Sequence, residues 1–545
     1  MSLTTSSAAA DSLSENRVRQ SESPSSEKRV HPAAVLFWLL IILTPFICAG
    51  LIWLITGTDP LKLDAWNTSW NDEVGYFRVI RLLRHEFYPQ GMYGFNEDAP
   101  SHLAYGPYNI FTYLPYFVLS FATGIDSHNF IYYSNVILAV LACAVYAVLV
   151  RPRFKEGVYT VLFLSTYLVA GRYIWSGMSE SSYNFFLILF TALAIWMIKK
   201  PDASPAAQGT ALFVMIAAVF FWNTMRPYYF PLLLVPVYMI FRKRSRLSTA
   251  AKILFLLFAA LSAGLSLWLF FFFTDYNVAR YFFDSTQTET LKALVSSGSP
   301  VIMVKEILKS NLGALREIKG YLKDSRWAGG IPLLYFVQSL LLFILMIRTF
   351  FAKEKKKDGR CAVILFMLMA GAAVYEANVV LYSPVQLHRM MLAVTIAYGL
   401  LLIELSGWER VTGQIALLAV MLFFVFRAPQ NFALPQIDSQ TLTTQKEEAL
   451  RNDFRAILPL EEDPWDNTIA KVPEFDKLQW EFMLPTYTSL NVCQNGVMEK
   501  FLTDGTLKSK FVLLENDSKL NALCVKQGYR VVWQGYDRIM YQTRD

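Results

Sequence analysis

The residues best equipped for chemistry open the stretch "AWNTSWNDEVGYFRVIRLLRHEFYPQGMYG", Ala65 to Gly94. Asp72 and Glu73 are adjacent carboxylates, and a carboxylate can take the proton of an incoming hydroxyl. Arg78, Arg81, Arg84 and His85 follow on one side of a helix-like segment, with Phe77, Ile80, Leu83 and Phe87 on another. That is the pattern of an amphipathic helix at a membrane interface, whose arginines reach lipid phosphate. The acids also have a plainer role open to them. Ser69 and Asp72 stand at capping-box spacing, and the helix dipole favours acids at a helix start.

Other candidates stand where apolar runs end. "YGPYNIF" supplies Tyr105 and Tyr108, "GRYIWSGMSES" supplies Arg172 and Glu180, "TMRPYY" supplies Arg226, and "VQLHRMM" supplies His388 and Arg389. Singly, each fits an interface anchor, because long cations carry their charge out to headgroups. Taken together they gather acids, arginines and aromatics at one depth, a set suited to a lipid phosphate whose head group reacts at the membrane surface. Arginine forks grip phosphate bidentately. Asp72, Glu73 and Glu180 leave a divalent metal open, without His or Cys ligand spacing to support one. No other cofactor is indicated.

The elements that must position these residues are membrane helices. Of 545 residues, 54% are hydrophobic and 17% charged, below the roughly 25% charged of soluble domains. Many apolar runs reach the ~20 residues needed to span a bilayer, with "AAVLFWLLIILTPFICAGLIWLI" the clearest. The Ser-rich residues 1–32 read as a disordered cytoplasmic tail leading into an uncleaved anchor. The net charge of +7 sits in short loops and orients the chain rather than recruiting nucleic acid.

Lys28 and Arg29 put the N-terminus inside. Every later basic cluster also falls inside if there are eleven spans, at about 33–55, 129–150, 158–170, 183–198, 210–222, 229–241, 251–273, 332–346, 362–381, 390–405 and 414–426. Residues 33–427 then form the transmembrane part. The first outer loop, 56–128, carries surface helices, among them 109–124, which is short and holds Pro115. Residues 428–545 read as a small α/β domain outside the membrane. Within it "KFVLLE" is a buried strand, "DSKLNALCVKQG" a helix ended by Gly, and "YRVVWQGYDRIMYQT" a strand pair around Gln534-Gly535. Cys493 and Cys524 could pair there in an oxidising compartment.

The order of features resembles the GT-C fold glycosyltransferases, and more narrowly the bacterial relatives of protein O-mannosyltransferases and lipid A aminoarabinose transferases. The resemblance is carried by a first span followed by "NDE", a surface helix, the segment "AYGPYNIFTYLPYF", and an outer "SGMSES" at the start of a span. This chain has "YGP" where the aminoarabinose branch commonly has "KPP". The resemblance implies an all-α polytopic fold and an acid of the first outer loop, here Asp72 or Glu73, as catalytic base. It also implies a polyprenyl-phosphate sugar as donor, a glycan, lipid or protein acceptor in the cell envelope, and inversion at the sugar carbon. On this expectation Asp72 is the base with Glu73 in support, and Arg389 and Arg172 lead the arginines that stabilise the leaving phosphate. Two rivals are a transporter or flippase of lipid-linked glycans, which needs ionisable groups at mid-membrane and broken helices, and a polysaccharide polymerase or ligase using the late outer loop around "DYNVARYFFD".

Overall fold

In a computed structural model the described residues are 32–65, 71–86, 97, 110–125, 127–276, 296, 298–323, 331–351, 360–381, 391–407, 409–437, 443–472, 482–493 and 495–544. The helices up to the middle of the chain are α1 (Pro32–Thr56), α2 (Asn71–Glu86), α3 (Ile110–Thr123), α4 (Phe130–Val150), α5 (Phe154–Thr166), α6 (Leu168–Ile174), α7 (Glu180–Lys199), α8 (Pro205–Met225), α9 (Leu234–Phe241) and α10 (Thr249–Tyr276). Then come α11 (Pro300–Lys323), α12 (Ile331–Phe351), α13 (Arg360–Leu381), α14 (Leu392–Leu405), α15 (Glu409–Arg427) and α16 (Thr444–Ile457). The C-terminal region adds β1 (Thr468–Lys471), β2 (Ser489–Val492), α17 (Asn495–Asp504), β3 (Phe511–Glu515), α18 (Asn521–Lys526), β4 (Arg530–Gly535) and β5 (Arg538–Gln542).

The chain is a multi-pass helical membrane protein. Among the described residues seven helices are long and apolar enough to cross a bilayer: α1, α4, α7, α8, α10, α13 and α15. Helices α5 and α6 pass the same test only together, bent by 64° at the break, giving up to eight. The expected third span, 158–170, falls on this bent pair. Neither Gly nor Pro marks the break. Tyr167 leaves helical geometry (φ −80°, ψ 70°), with its hydroxyl 3.0 Å from that of Thr395 on α14. The expected spans 229–241, 332–346 and 390–405 fall on shorter apolar helices. Of these α14 is central: every residue in it except Glu404 is buried, as a helix apolar all round requires. Gly399 lets α5 approach closely, since a Cβ there would lie 2.2 Å from the Phe163 ring.

Helix α3 has 14 residues, about 21 Å at 1.5 Å per residue, too short for the ~30 Å hydrocarbon core. It buries Tyr113, Tyr116 and Ser120 against the neighbouring helices.

Helix α2 does not fit the interfacial reading. Tyr76, Phe77, Val79, Ile80 and Leu83 are buried, and so are Arg78 and Arg81. Arg78 and Arg84 reach protein carbonyls. Arg78 Nη2 donates to Pro485 O at 3.0 Å and to Thr488 O at 2.5 Å, and Arg84 Nη1 donates to Ile125 O at 2.6 Å.

The five-stranded sheet has the order β2-β1-β3-β5-β4, with β1 parallel to β2 and β3 and the remaining pairs antiparallel. Side chains alternate between its faces. Ile469, Leu490, Phe511, Leu513 and Met540 join the apolar cluster that contains the membrane helices and α2. Ala470, Val512, Leu514 and Tyr541 pack on the other face with Met498, Leu502 and Cys524. The sheet is thus continuous with the core beneath it. Two expectations change here. The β4–β5 turn lies on Tyr536-Asp537, both at positive φ (49° and 60°), one pair beyond Gln534-Gly535. Cys493 and Cys524 are both buried free thiols.

Candidate functional site

Glu73 lies in the first turn of α2 and is 1% exposed. Its Oε2 accepts a hydrogen bond of 2.7 Å from the Tyr132 hydroxyl on α4. The loop between α6 and α7 crosses directly over the side chain. A Cβ added to Gly177 would lie 3.1 Å from Glu73 Cβ and 3.2 Å from its Cγ and Cδ. No backbone twist demands glycine there; the close approach does.

The loop is held in that place by Asn135, one turn along α4 from Tyr132. Its Nδ2 donates to Ser176 O at 2.6 Å and Met178 O at 3.0 Å, the carbonyls on either side of Gly177. Its Oδ1 accepts from Tyr116 of α3 at 2.7 Å. Trp175 Nε1 fixes the start of the loop by donating to Pro45 O of α1 at 3.0 Å. An amide buried in an apolar helix must use its hydrogen bonds. Asn135 uses both ends, and the result is a fixed wall against the Glu73 carboxylate.

Three residues beyond Gly177, Glu180 begins α7. Its Oε1 lies 3.4 Å from Nη2 of Arg226, which ends α8, and both side chains are at most 3% exposed. Breaking a buried pair of this kind leaves a naked charge, typically at ~3–5 kcal/mol. One turn further into the bundle stand Asn184 on α7 and Asn223 on α8. Both are buried, and their amide atoms have no hydrogen-bond partner among the described residues. Trp222 stacks on Tyr229 there, with ring centroids 5.5 Å apart.

Of the candidates read from the sequence, the structure gathers Glu73, Glu180 and Arg226 around the 175–180 loop. Arg172 is buried on α6, five residues before Gly177. Asp72 belongs to α2 by its backbone, but its side chain lies outside the described set. Tyr105, His388 and Arg389 also lie outside the described residues. Glu73 and Glu180 are each engaged by protein donors, which weakens the metal trio. Among the described residues no group of three His, Cys, Asp or Glu could hold a metal.

Sequence reasoning missed Tyr132, Asn135 and Gly177. Asn135, a polar residue in "FIYYSNVILAVLACAVYAVLV", was the available signal. It also missed two connections from the first loop to the C-terminal region. In one, Glu97, 1% exposed, accepts from Asn491 Nδ2 at 3.0 Å and Lys508 N at 2.8 Å, and from the Ser509 hydroxyl. In the other, His128 just before α4 is clamped between two carboxylates. Its Nε2 is 2.6 Å from Asp64 Oδ1, and its Nδ1 is 2.9 Å from Glu447 Oε2 on α16. Burial works against the charged ring, but the hydrogen bonds and charges of Asp64 and Glu447 prevail and push its pKa up to about 9. With both nitrogens donating, the imidazolium is a clamp and not a base.

No family model matches the chain, and no curated protein matches it. Among solved structures the chain is similar to ArnT from Cupriavidus metallidurans bound to undecaprenyl phosphate, with 12% identity, TM-score 0.48, and 94% of this chain and 98% of that one covered. The apo state of the same protein gives 14%, 0.47, 94% and 97%. The Archaeoglobus fulgidus oligosaccharyltransferase in the apo form gives 13%, 0.46, 90% and 71%. These are GT-C fold membrane glycosyltransferases, the family the sequence resembles. A likeness of this degree assigns no residue roles, so the functional reading rests on the site itself.

Proposed function

We propose that the chain is a membrane glycosyltransferase that moves a sugar from a polyprenyl-phosphate donor to an acceptor hydroxyl at the outer face of the cell membrane, with inversion at the sugar carbon. The observation that carries this reading is the buried Glu73 carboxylate, walled by Gly177 and held by Tyr132, beside a second acid and an arginine at helix ends. Consecutive helical residues are turned by about 100°, so a Glu73 committed to Tyr132 and Gly177 sets the orientation of the α2 start and leaves the work of the base to Asp72. Asp72 removes the acceptor proton as the hydroxyl attacks the anomeric carbon. The lipid phosphate departs with the bonding electron pair, toward Arg172 and Arg389. Removing a single donor of that kind costs ~3–4 kcal/mol in other enzymes. His388 and Tyr105 are assigned to substrate binding, and Glu180 holds Arg226.

The proposed topology has eleven spans, a cytoplasmic N-terminus and an external C-terminal region. Residues 428–545 act as its outer cover. The test is transfer of radiolabelled sugar from a synthetic polyprenyl phosphate to a membrane extract by the purified chain. Failure with every donor offered, together with unchanged envelope glycans on deleting the gene, would sink the proposal.

A second reading, a flippase for lipid-linked glycans, is favoured by the break at Tyr167 and the buried Asn184 and Asn223 amides. Against it, Glu180 and Arg226 stand at helix ends rather than mid-membrane. Movement of fluorescent lipid-linked glycan across proteoliposomes without any sugar transfer would decide for it.

A further inference from the structure

The end of the bundle away from Glu73 holds a concavity of about 1230 Å3. It is bordered by the C-terminal ends of α4, α7, α9 and α14 and the starts of α5, α13 and α15. Glu180 stands at the other end of α7, about 30 Å away at 1.5 Å per residue, so this is not part of the first site.

Eight Lys or Arg residues and two glutamates line it. Basic residues at this end of a bundle can serve orientation alone. Here they border one concavity, with Arg242 half-buried and Arg151, Arg153, Lys243 and Arg244 exposed around it, and the two lining glutamates are already paired. Glu404 Oε2 is 2.5 Å from Lys199 Nζ, and Glu156 Oε1 is 2.8 Å from Arg410 Nη1. Arg151, Arg153, Arg242, Lys243 and Arg244 have no acid partner among the described residues. Arg242 Nη1 donates to Met197 O at 2.8 Å, while its Nε and Nη2 are buried and have no hydrogen-bond partner among the described residues. Burial, with the Arg244 charge beside it, lowers the Arg242 pKa from its ordinary value. An anion in the cavity beside Arg242 and Arg244 would offset the repulsion between them. The walls between the cations include Val150, Ile198 and Phe241, so the space suits a charged head with apolar matter attached.

We propose that this cavity binds a phosphate-bearing anion, held through Arg242, Arg244 and the Arg151/Arg153 pair. The phosphate is either the headgroup of an anionic lipid or a free anion of the same chemistry. Basic pockets between helix ends take lipid headgroups in this way, and forked guanidinium groups match phosphate oxygens. The proposal does not depend on the glycosyl-transfer reading.

The test uses the purified full chain in neutral detergent with three probes: short-chain phosphatidylglycerol, short-chain phosphatidylcholine and inorganic pyrophosphate. Native mass spectrometry counts retained lipid, and calorimetry follows pyrophosphate. We expect phosphatidylglycerol to be retained over phosphatidylcholine. The Arg242→Gln/Lys243→Gln/Arg244→Gln variant should weaken it at least tenfold, and Arg151→Gln/Arg153→Gln should act in the same direction, both with unchanged melting. Lys305→Gln/Lys309→Gln on α11 serves as the remote control and should leave binding intact. Phosphatidylglycerol binding that pyrophosphate cannot displace assigns the site to membrane lipid. Saturable pyrophosphate binding lost in the same variants assigns it to a free phosphate. Saturable binding of neither probe, or equal losses in the cavity variants and the α11 control, overturns the proposal.

Discussion

Gly177→Ala tests whether the loop wall positions Glu73. The new Cβ would lie 3.1 Å from Glu73 Cβ and 3.2 Å from Cγ and Cδ, against about 3.5–4.0 Å for relaxed carbon contacts. Something must give by about 0.4 Å. The loop cannot retreat freely, because Asn135 holds the carbonyls of Ser176 and Met178. Glu73 therefore yields, and its 2.7 Å bond to Tyr132 lengthens. Overpacking of this kind costs about 1–3 kcal/mol. A 1 Å misplacement can cost ~100-fold in rate, so a 0.4 Å shift corresponds to about sixfold on an exponential scale. In an Asn135→Ala background the loop is free to move, and Gly177→Ala should cost less. The two substitutions then couple by more than the ~0.5 kcal/mol scatter of independent sites. The assays are thermal melting of the purified chain and sugar transfer, on the wild type, both singles and the double. Wild-type melting and transfer for Gly177→Ala, or strict additivity in the double, would refute the positioning argument.

Asp72→Asn should abolish transfer with normal expression and melting, because Asn caps a helix about as well as Asp yet cannot accept a proton at neutral pH. Wild-type turnover by Asp72→Asn, Glu73→Gln and their double would return the pair to a helix cap. For His128, the folded pKa of about 9 lies above the ordinary 6.5, so its clamp is fully stabilising below pH 6.5 and is lost as pH rises through 9. At ~1.4 kcal/mol per pH unit the span is at most about 3.5 kcal/mol. Melting should fall between pH 6.5 and 9, and a His128→Gln variant that falls just as steeply would show that another group is responsible. Cysteines placed at Ser248 and Ser518, in a background lacking Cys493 and Cys524, test the topology with an impermeant thiol reagent. In intact cells only the Ser518 position should label, and labelling of Ser248 alone would reverse the assignment.

The membrane helices were legible because their signal is local. A run such as Pro32–Thr56 declares itself by composition, and β3 by an unbroken buried stretch. What failed depended on distant partners. Arg78 on an amphipathic helix looks the same whether it reaches a headgroup or a carbonyl, and the carbonyl it finds is on Thr488, 410 residues away. The break at Tyr167 has no Gly or Pro to announce it. Both halves pack on α1, α5 through Gly157 and Phe37 and α6 through Gly171 and Cys48, while α5 also meets α14 through Phe163 and Gly399. At the candidate site the acids and arginines were visible by type, while the residues that orient Glu73 were not. Tyr132 acts through its hydroxyl, Asn135 through its amide and Gly177 through the lack of a side chain, and none carries a charge.

The placement of those contacts bears on why a carboxylate site should have the C-terminal region over it. Helix α2 is anchored by Arg78 to Thr488, the first loop by Glu97 to Ser509, and the start of α4 by His128 to Glu447. Helix α4 carries Tyr132 four residues beyond His128, and α2 carries Glu73 five residues before Arg78. Both partners of the Glu73–Tyr132 bond are therefore each tied, within about a turn and a half, to the C-terminal region. One face of the sheet lies in the same apolar cluster as α2, so these ties are backed by packing and are not isolated surface contacts. Hydrogen bonds to charged groups contribute ~1.5–3 kcal/mol when well placed, and three such ties fix α2, Glu97 and the start of α4 to the C-terminal region. The membrane helices supply the depth and the loop supplies the acid, while the C-terminal region restrains the motion that would let Glu73 and Tyr132 drift apart.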